Sequence, residues 1–143
     1  MGLILDPCLL IAHERETFDL AGFLATRDEP VALASITASE LLHGCHRAAN
    51  PRQKNKRMRY VEWVLAEFDT VPFAFGEARH HARLWSDLAR RGKMIGSHDL
   101  LIAATAISLG FGVATLNHDE FSRVPGLALI EKNVLQQFAK GIS

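Results

Sequence analysis

A chain of 143 residues is long enough to bury a core of its own without disulfide or metal staples. Hydrophobic residues at 48% against 22% charged exclude an extensively disordered chain, and no apolar run has the length that spans a bilayer. Lys plus Arg and Asp plus Glu number 16 each, so net charge selects no partner and only the local distribution of charge can.

The opening Gly2 to Leu5 is a short continuous apolar run, as expected of a buried parallel strand, and it delivers Asp6 to the strand's C-terminal end. Pro7 suits the first turn of a helix, where its missing N–H is no loss, and that helix continues through Ile11 to His13. The start lacks the basic stretch of a signal peptide, and Cys8 and Cys45 form no Cys-x-x-Cys pair. Both read as buried free thiols of a protein in a reducing cytoplasm. Thr17 to Ala25 has helical apolar spacing, Asp28-Glu29-Pro30 is a turn, and Val31 to Ala34 reads as a second buried strand.

Ile36 to Gly44 opens a helix directly after that strand, and Thr37 to Glu40 has the spacing of a capping box. Asn50 to Met58 is expected to be a loop leading into a helix that ends near Phe68, with Tyr60, Val61, Val64, Leu65 and Phe68 inward. Asp69 to Phe73 is a short strand or extended link. Gly76 to Arg91 is amphipathic, with Ala78, Ala82, Trp85 and Ala89 expected on its apolar stripe and Gly92 as its C-cap.

Met94 to Phe121 is the stretch around which the chain is organised. A turn at Ile95-Gly96-Ser97 precedes an apolar helix that starts near Asp99, with Ser97 as a candidate cap, and runs to Leu109. A Gly110-Phe111-Gly112 break leads to a strand, Val113 to Thr115, and a polar rim of Asn117, His118, Asp119 and Glu120 follows. Pro125-Gly126 marks a turn, Leu127 to Ile130 a last strand, and Glu131 to Ser143 a partly helical tail. Strands alternating with helices predict an α/β protein of one domain, residues 1–143, with a parallel sheet covered on both faces.

In such sheets ligands sit beyond the carboxyl ends of the strands. Asp6, Glu40 and Asp99 are all placed to reach that edge, together with the Asn117–Glu120 rim. Clustered carboxylates repel and raise one another's pKa unless a cation neutralises them. Mg²⁺, which takes oxygen ligands and often only one or two carboxylates directly, is the economical counter-ion, and it supports phosphodiester hydrolysis. Each acid also has a bland structural reading: Glu40 as a cap partner, Asp99 as a dipole-stabilising acid, Asn117 as an N-cap. Asp6 has the least structural need. A phosphoryl-transfer site with Asp6 as nucleophile is disfavoured, because Cys8 stands where a second acid is wanted.

Four stretches together resemble the PIN domain, and more narrowly the VapC toxins of bacterial toxin–antitoxin pairs. They are Leu5-Asp6 before an apolar helix, Ile36 to Gly44, Ile95 to Ala104, and Thr115 to Phe121 with Val124 to Leu127. The resemblance covers nearly the whole chain. It implies a three-layer α/β/α fold with a central, mostly parallel twisted sheet, and a Mg²⁺- or Mn²⁺-dependent endoribonuclease. It further implies an RNA substrate, tRNA among the candidates, a cognate VapB-like antitoxin and a homodimer. By position Asp6, Glu40 and Asp99 match the family's three principal acids, with Asp6 and Asp99 as the metal ligands. Asn117 takes its fourth polar position, and Glu120 the acid before phenylalanine. Asp119, Thr115 and His98 are further rim residues. One departure is that Pro7 stands where the family usually has Thr or Ser. The alternative implied by that departure is a catalytically weakened module that binds RNA or an antitoxin without turnover.

Two basic groups, one between Cys45 and Tyr60 and one from Arg79 to Lys93, are candidate phosphate or antitoxin contacts. The 7 histidines have no zinc-site spacing. Trp63, Phe68, Phe73 and Trp85 read as core or subunit interface.

Overall fold

The structure is a computed structural model and describes residues 1–141. Its strands are β1 (Leu3–Leu5), β2 (Val31–Ala34), β3 (Asp69–Val71) and β4 (Gly112–Ala114), joined in the order β3-β2-β1-β4 with every pairing parallel. In register, Ile4 lies against Ala32 on one side and Val113 on the other. Side chains alternate between faces along each strand. Leu3, Leu5 and Leu33 enter one core with Leu9, Phe23, Leu41, Val61 and Val64, while Ile4, Ala32 and Val113 enter a second with Leu84, Leu88, Ile102 and Ala103. Two cores on opposite faces of one sheet give the α/β/α layering expected from the alternating sequence.

The helices are α1 (Pro7–Glu14), α2 (Leu20–Ala25), α3 (Ser35–His46), α4 (Pro51–Glu67), α5 (Phe75–Arg91), α6 (Ser97–Leu109), α7 (His118–Phe121) and α8 (Lys132–Gln136). Pro7 occupies the first turn of α1 as predicted. Gly92 and Gly110 end α5 and α6 in the left-handed conformation that an L side chain adopts only with strain. α6 is buried along most of its length, from Leu100 through Ala106, which is why its sequence shows no polar face.

Several local expectations are corrected. The polar stretch Asn50 to Met58 is not a loop. Asn50 accepts the backbone N–H of Gln53 at 2.9 Å as an N-cap, Pro51 follows at the first helical position, and α4 is continuous from there. α5 turns a different face inward from the one expected. Leu84 and Leu88 are buried, whereas Ala82, Trp85 and Ala89 are exposed. α3 begins at Ser35, so Thr37 lies inside the first turn, buried and without a partner for Oγ1, and forms no capping box with Glu40. Leu127 to Ile130 makes a single parallel bridge, Leu129 to Val113, rather than a strand. The tail is helical over α8 only, and Ile142 and Ser143 lie outside the described residues.

Candidate active site

With all strands parallel, β1, β2 and β4 end at the same edge, and the polar residues that follow them meet there. Asp6 follows β1 directly and is 3% exposed. Its backbone N–H still pairs with Ala114 of β4, which fixes the residue at the strand–helix junction. Its Oδ2 accepts two hydrogen bonds, from Thr115 Oγ1 at 2.6 Å and from Cys8 Sγ at 2.8 Å. Burial raises the Asp6 carboxyl above its usual range; the two donors pull it back in part, and Glu120 adds a smaller upward push.

Asp99 projects from the first turn of α6, whose N-cap position is Gly96 rather than Ser97. Its carboxyl is pushed up to about 7, by burial first and then by Asp6, Glu120 and Glu40, so it shares an electrostatic neighbourhood with all three other acids. The close approach is visible at Gly96. A Cβ there would stand 3.3 Å from Asp99 Oδ2 and 3.4 Å from Glu120 Oε1. Glu120 is already engaged, since the Gly96 N–H donates to Oε1 and Asn117 Nδ2 donates to Oε2 at 2.6 Å. These donors hold its carboxyl below the usual value. Asn117 stands at the N-cap position of α7, yet its side chain serves Glu120 instead of the helix.

Glu40, on the second turn of α3, accepts a hydrogen bond from His98 Nδ1 at 2.8 Å, or pairs with it as an ion when the ring is protonated. The contact ties α3 to the start of α6, so His98 does reach the site. Thr115 lies behind Asp6 rather than at the rim. Asp119 is not brought in: its side chain is 90% exposed and stands 3.7 Å from Lys132 Nζ. The contribution of Cys8 has no signature in the sequence, where a lone thiol among apolar residues reads as inert core. Only the fold places it beside Asp6, with burial and the adjacent carboxylate pushing its thiol up to about 12.

Among the described residues no three His, Cys, Asp or Glu side chains form a ready-made chelate. The donor chemistry nevertheless fits a hard divalent ion that keeps most of its waters, because such an ion needs only one or two carboxylates directly. The partly solvated Asp99 carboxyl beside Asp6 supplies that minimum. A cleft of ≈ 480 Å³ leads away from Glu40 and His98, with Arg15, His43, Arg47, Arg57 and Tyr60 on its walls. A neighbouring cleft of ≈ 400 Å³ shares Arg15 and Arg57 and adds Gln53 and Lys56. Arg83, Arg90 and Arg91 of the second basic group line a different cleft, against Pro125 and Gly126.

A parallel sheet with an acidic edge of this kind defines a class of α/β proteins, and comparison with known proteins specifies it. The PIN domain family model matches residues 3–127. Ribonuclease VapC1 of Rickettsia felis is 36% identical over 134 residues, spanning 91% of this chain and 96% of the relative. The tRNA(fMet)-specific endonuclease VapC of Salmonella typhimurium is 30% identical over 117 residues, 82% of each chain. Among solved structures, VapBC2 from Rickettsia felis bound to a DNA fragment from the promoter superposes with a TM-score of 0.81 at 25% identity, covering 91% of this chain and 98% of that one. VapBC-5 from Mycobacterium tuberculosis superposes with a TM-score of 0.72 at 31% identity, covering 92% and 99%. The chain belongs to the PIN-domain family, on its VapC branch.

Proposed function

We propose that this protein is the ribonuclease toxin of a VapBC-type pair, cleaving RNA phosphodiesters with the help of a divalent cation, Mg²⁺ or Mn²⁺. The observation that carries this reading is the convergence of Asp6, Asp99, Glu40 and Glu120 on one sheet edge, where burial first and the neighbouring acids second push Asp99 up to about 7. Its relatives are named ribonucleases, which supports reading the acidic edge as a site for RNA cleavage. A silent binding module would not need four converging carboxylates, and all four are intact.

Asp6 and Asp99 would hold the ion, with Glu40 acting directly or through water. Once bound, the cation supplies Lewis acidity to the phosphate and lowers the pKa of a coordinated water. Asp99, with its carboxyl pushed up to about 7, would have to be deprotonated to hold the cation, so binding near neutral pH would release a proton. Glu120 keeps the turn before α6 in place through Gly96, and His98 orients Glu40. The Arg15–Arg47–Arg57 cleft provides a path for the RNA backbone away from the acids. We assign a VapB-like antitoxin segment to the apolar groove between α2 and α4, where Leu20, Leu24, Trp63 and Phe68 line a cavity of ≈ 250 Å³. The exposed stripe of α5 is assigned to a homodimer.

The test is cleavage of an RNA panel that includes initiator tRNA, with Mg²⁺ and with EDTA. Asp6→Ala and Asp99→Ala are each expected to reduce cleavage by more than about 100-fold, the scale of losing a group that stabilises developing charge. Two folded variants that cleave like the parent would refute the assignment.

A further inference from the structure

We propose that Cys8 is a positioning residue for Asp6: its S–H, together with the Thr115 hydroxyl, holds one carboxylate oxygen so that the other is left for the cation. The inference rests on the metal-dependent reading above and assigns to this chain's own thiol a part in it.

The two oxygens of Asp6 have unequal surroundings. Oδ2 takes both side-chain hydrogen bonds, at 2.6 Å from Thr115 and 2.8 Å from Cys8. Oδ1 takes none among the described residues. A buried carboxylate therefore keeps one acceptor oxygen without a side-chain donor, and a hard cation takes such an oxygen as its ligand.

Each of the two donors is aimed from behind by a backbone N–H of the turn after β4. Asn117 N–H donates to Thr115 Oγ1 at 2.9 Å, and Leu116 N–H donates to Cys8 Sγ at 3.3 Å. Both side-chain atoms thus accept on one side and pass their own hydrogen to Oδ2 on the other. The alternative acceptor for the thiol, Thr115 Oγ1, lies farther off at 3.6 Å and already receives Asn117. Successive N–H groups of one turn feed two parallel relays that end on the same oxygen. Pro7 brings no hydroxyl to this corner, and Cys8, on the first turn of α1, is the residue of that helix that reaches it.

Groups that orient metal ligands typically govern affinity by about 10–100-fold. The experiment measures Mn²⁺ binding to the full chain without RNA, by the electron paramagnetic resonance signal of free Mn²⁺, with circular dichroism on each variant to show that it is folded. Cys8→Ala removes the donor and is expected to weaken Mn²⁺ binding by about 10-fold or more. Cys8→Ser keeps a donor and is expected to stay within about threefold of the parent. A folded Cys8→Ala protein that binds Mn²⁺ like the parent overturns the assignment. Equal losses in the alanine and serine variants also overturn it, by making the size of sulfur rather than its hydrogen the deciding property. A parent that cleaves RNA yet binds no Mn²⁺ or Mg²⁺ overturns the cation reading itself, a failure separate from that of Cys8.

Discussion

Asp99 enters the folded state with its carboxyl pushed up to about 7, and the sign of that shift fixes how stability follows pH. The unfolded residue titrates near 3.9, so the fold favours the protonated form. That contribution is complete below about 4 and is lost as pH rises through about 7. Asp6 shifts in the same direction, while Glu120, held down by Gly96, contributes in the opposite sense only at lower pH. The metal-free protein should therefore lose melting temperature between about pH 4 and pH 7, and Asp99→Asn should flatten that decline. At pH 8 the same variant should melt higher than the parent in EDTA, by about 3 °C for each kcal/mol of repulsion relieved, and lower than the parent in excess Mg²⁺. Thermal scans across pH with and without the ion check both signs. Asp6 is legible in the sequence because a carboxylate directly after an apolar strand has little structural use. Glu40, Asp99 and Glu120 each have a bland reading and stand out only through their joint placement and the family resemblance. Cys8 is not legible, since a thiol reads as a small apolar residue until the chain brings Thr115 and Leu116 beside it.

Two helices depart from their sequence-based expectation for separable reasons. Along α4 the run of Arg, Lys, Gln and Asn hides a helix whose start is nonetheless marked by Asn50 followed by Pro51, and that local capping signal outweighs polarity. Along α5 the alanines suggest a core stripe, although Ala is small enough to sit on either face; the two leucines, Leu84 and Leu88, decide which side packs against α6. The consequence is an apolar row of Phe75, Ala82, Trp85 and Ala89 left outside, with Trp85 55% and Phe75 71% exposed. Exposed apolar rows at helical spacing mark association surfaces. Trp85→Glu is accordingly expected to convert the proposed dimer to a monomer, measured by light scattering on a sizing column, while leaving the melting temperature of the monomer nearly unchanged. An unaltered dimer would move the interface elsewhere. The central helix α6, by contrast, ends at Leu109 as expected and starts at Ser97, two residues earlier than expected; a long apolar run between two glycine signals admits few alternatives.

At the scale of the molecule, charge neutrality conceals a working asymmetry. The acids gather at one sheet edge, and Arg15, Arg47, Lys56 and Arg57 line the adjoining clefts. Arg47 and Lys56 are exposed and form no ion pair among the described residues, so they are available to phosphates. Arg47→Glu with Lys56→Glu should weaken RNA binding measured in EDTA by fluorescence anisotropy, and lower the salt slope by about 0.7 for each phosphate no longer neutralised. If affinity for RNA holds while capture of the antitoxin falls, the cleft belongs to the protein partner. This part of the function is not legible from composition, since only folding sets α3 and α4 side by side.

Because the four strands run the same way, the turns that feed them lie at the far border of the sheet, about 10–13 Å from the carboxylates along strands of this length. The Asp28–Glu29 bend sits on that quiet border and is well suited to carrying a dye, a tether or a grafted epitope. A reporter placed there would stand clear of the acidic edge and of the RNA proposed to bind it.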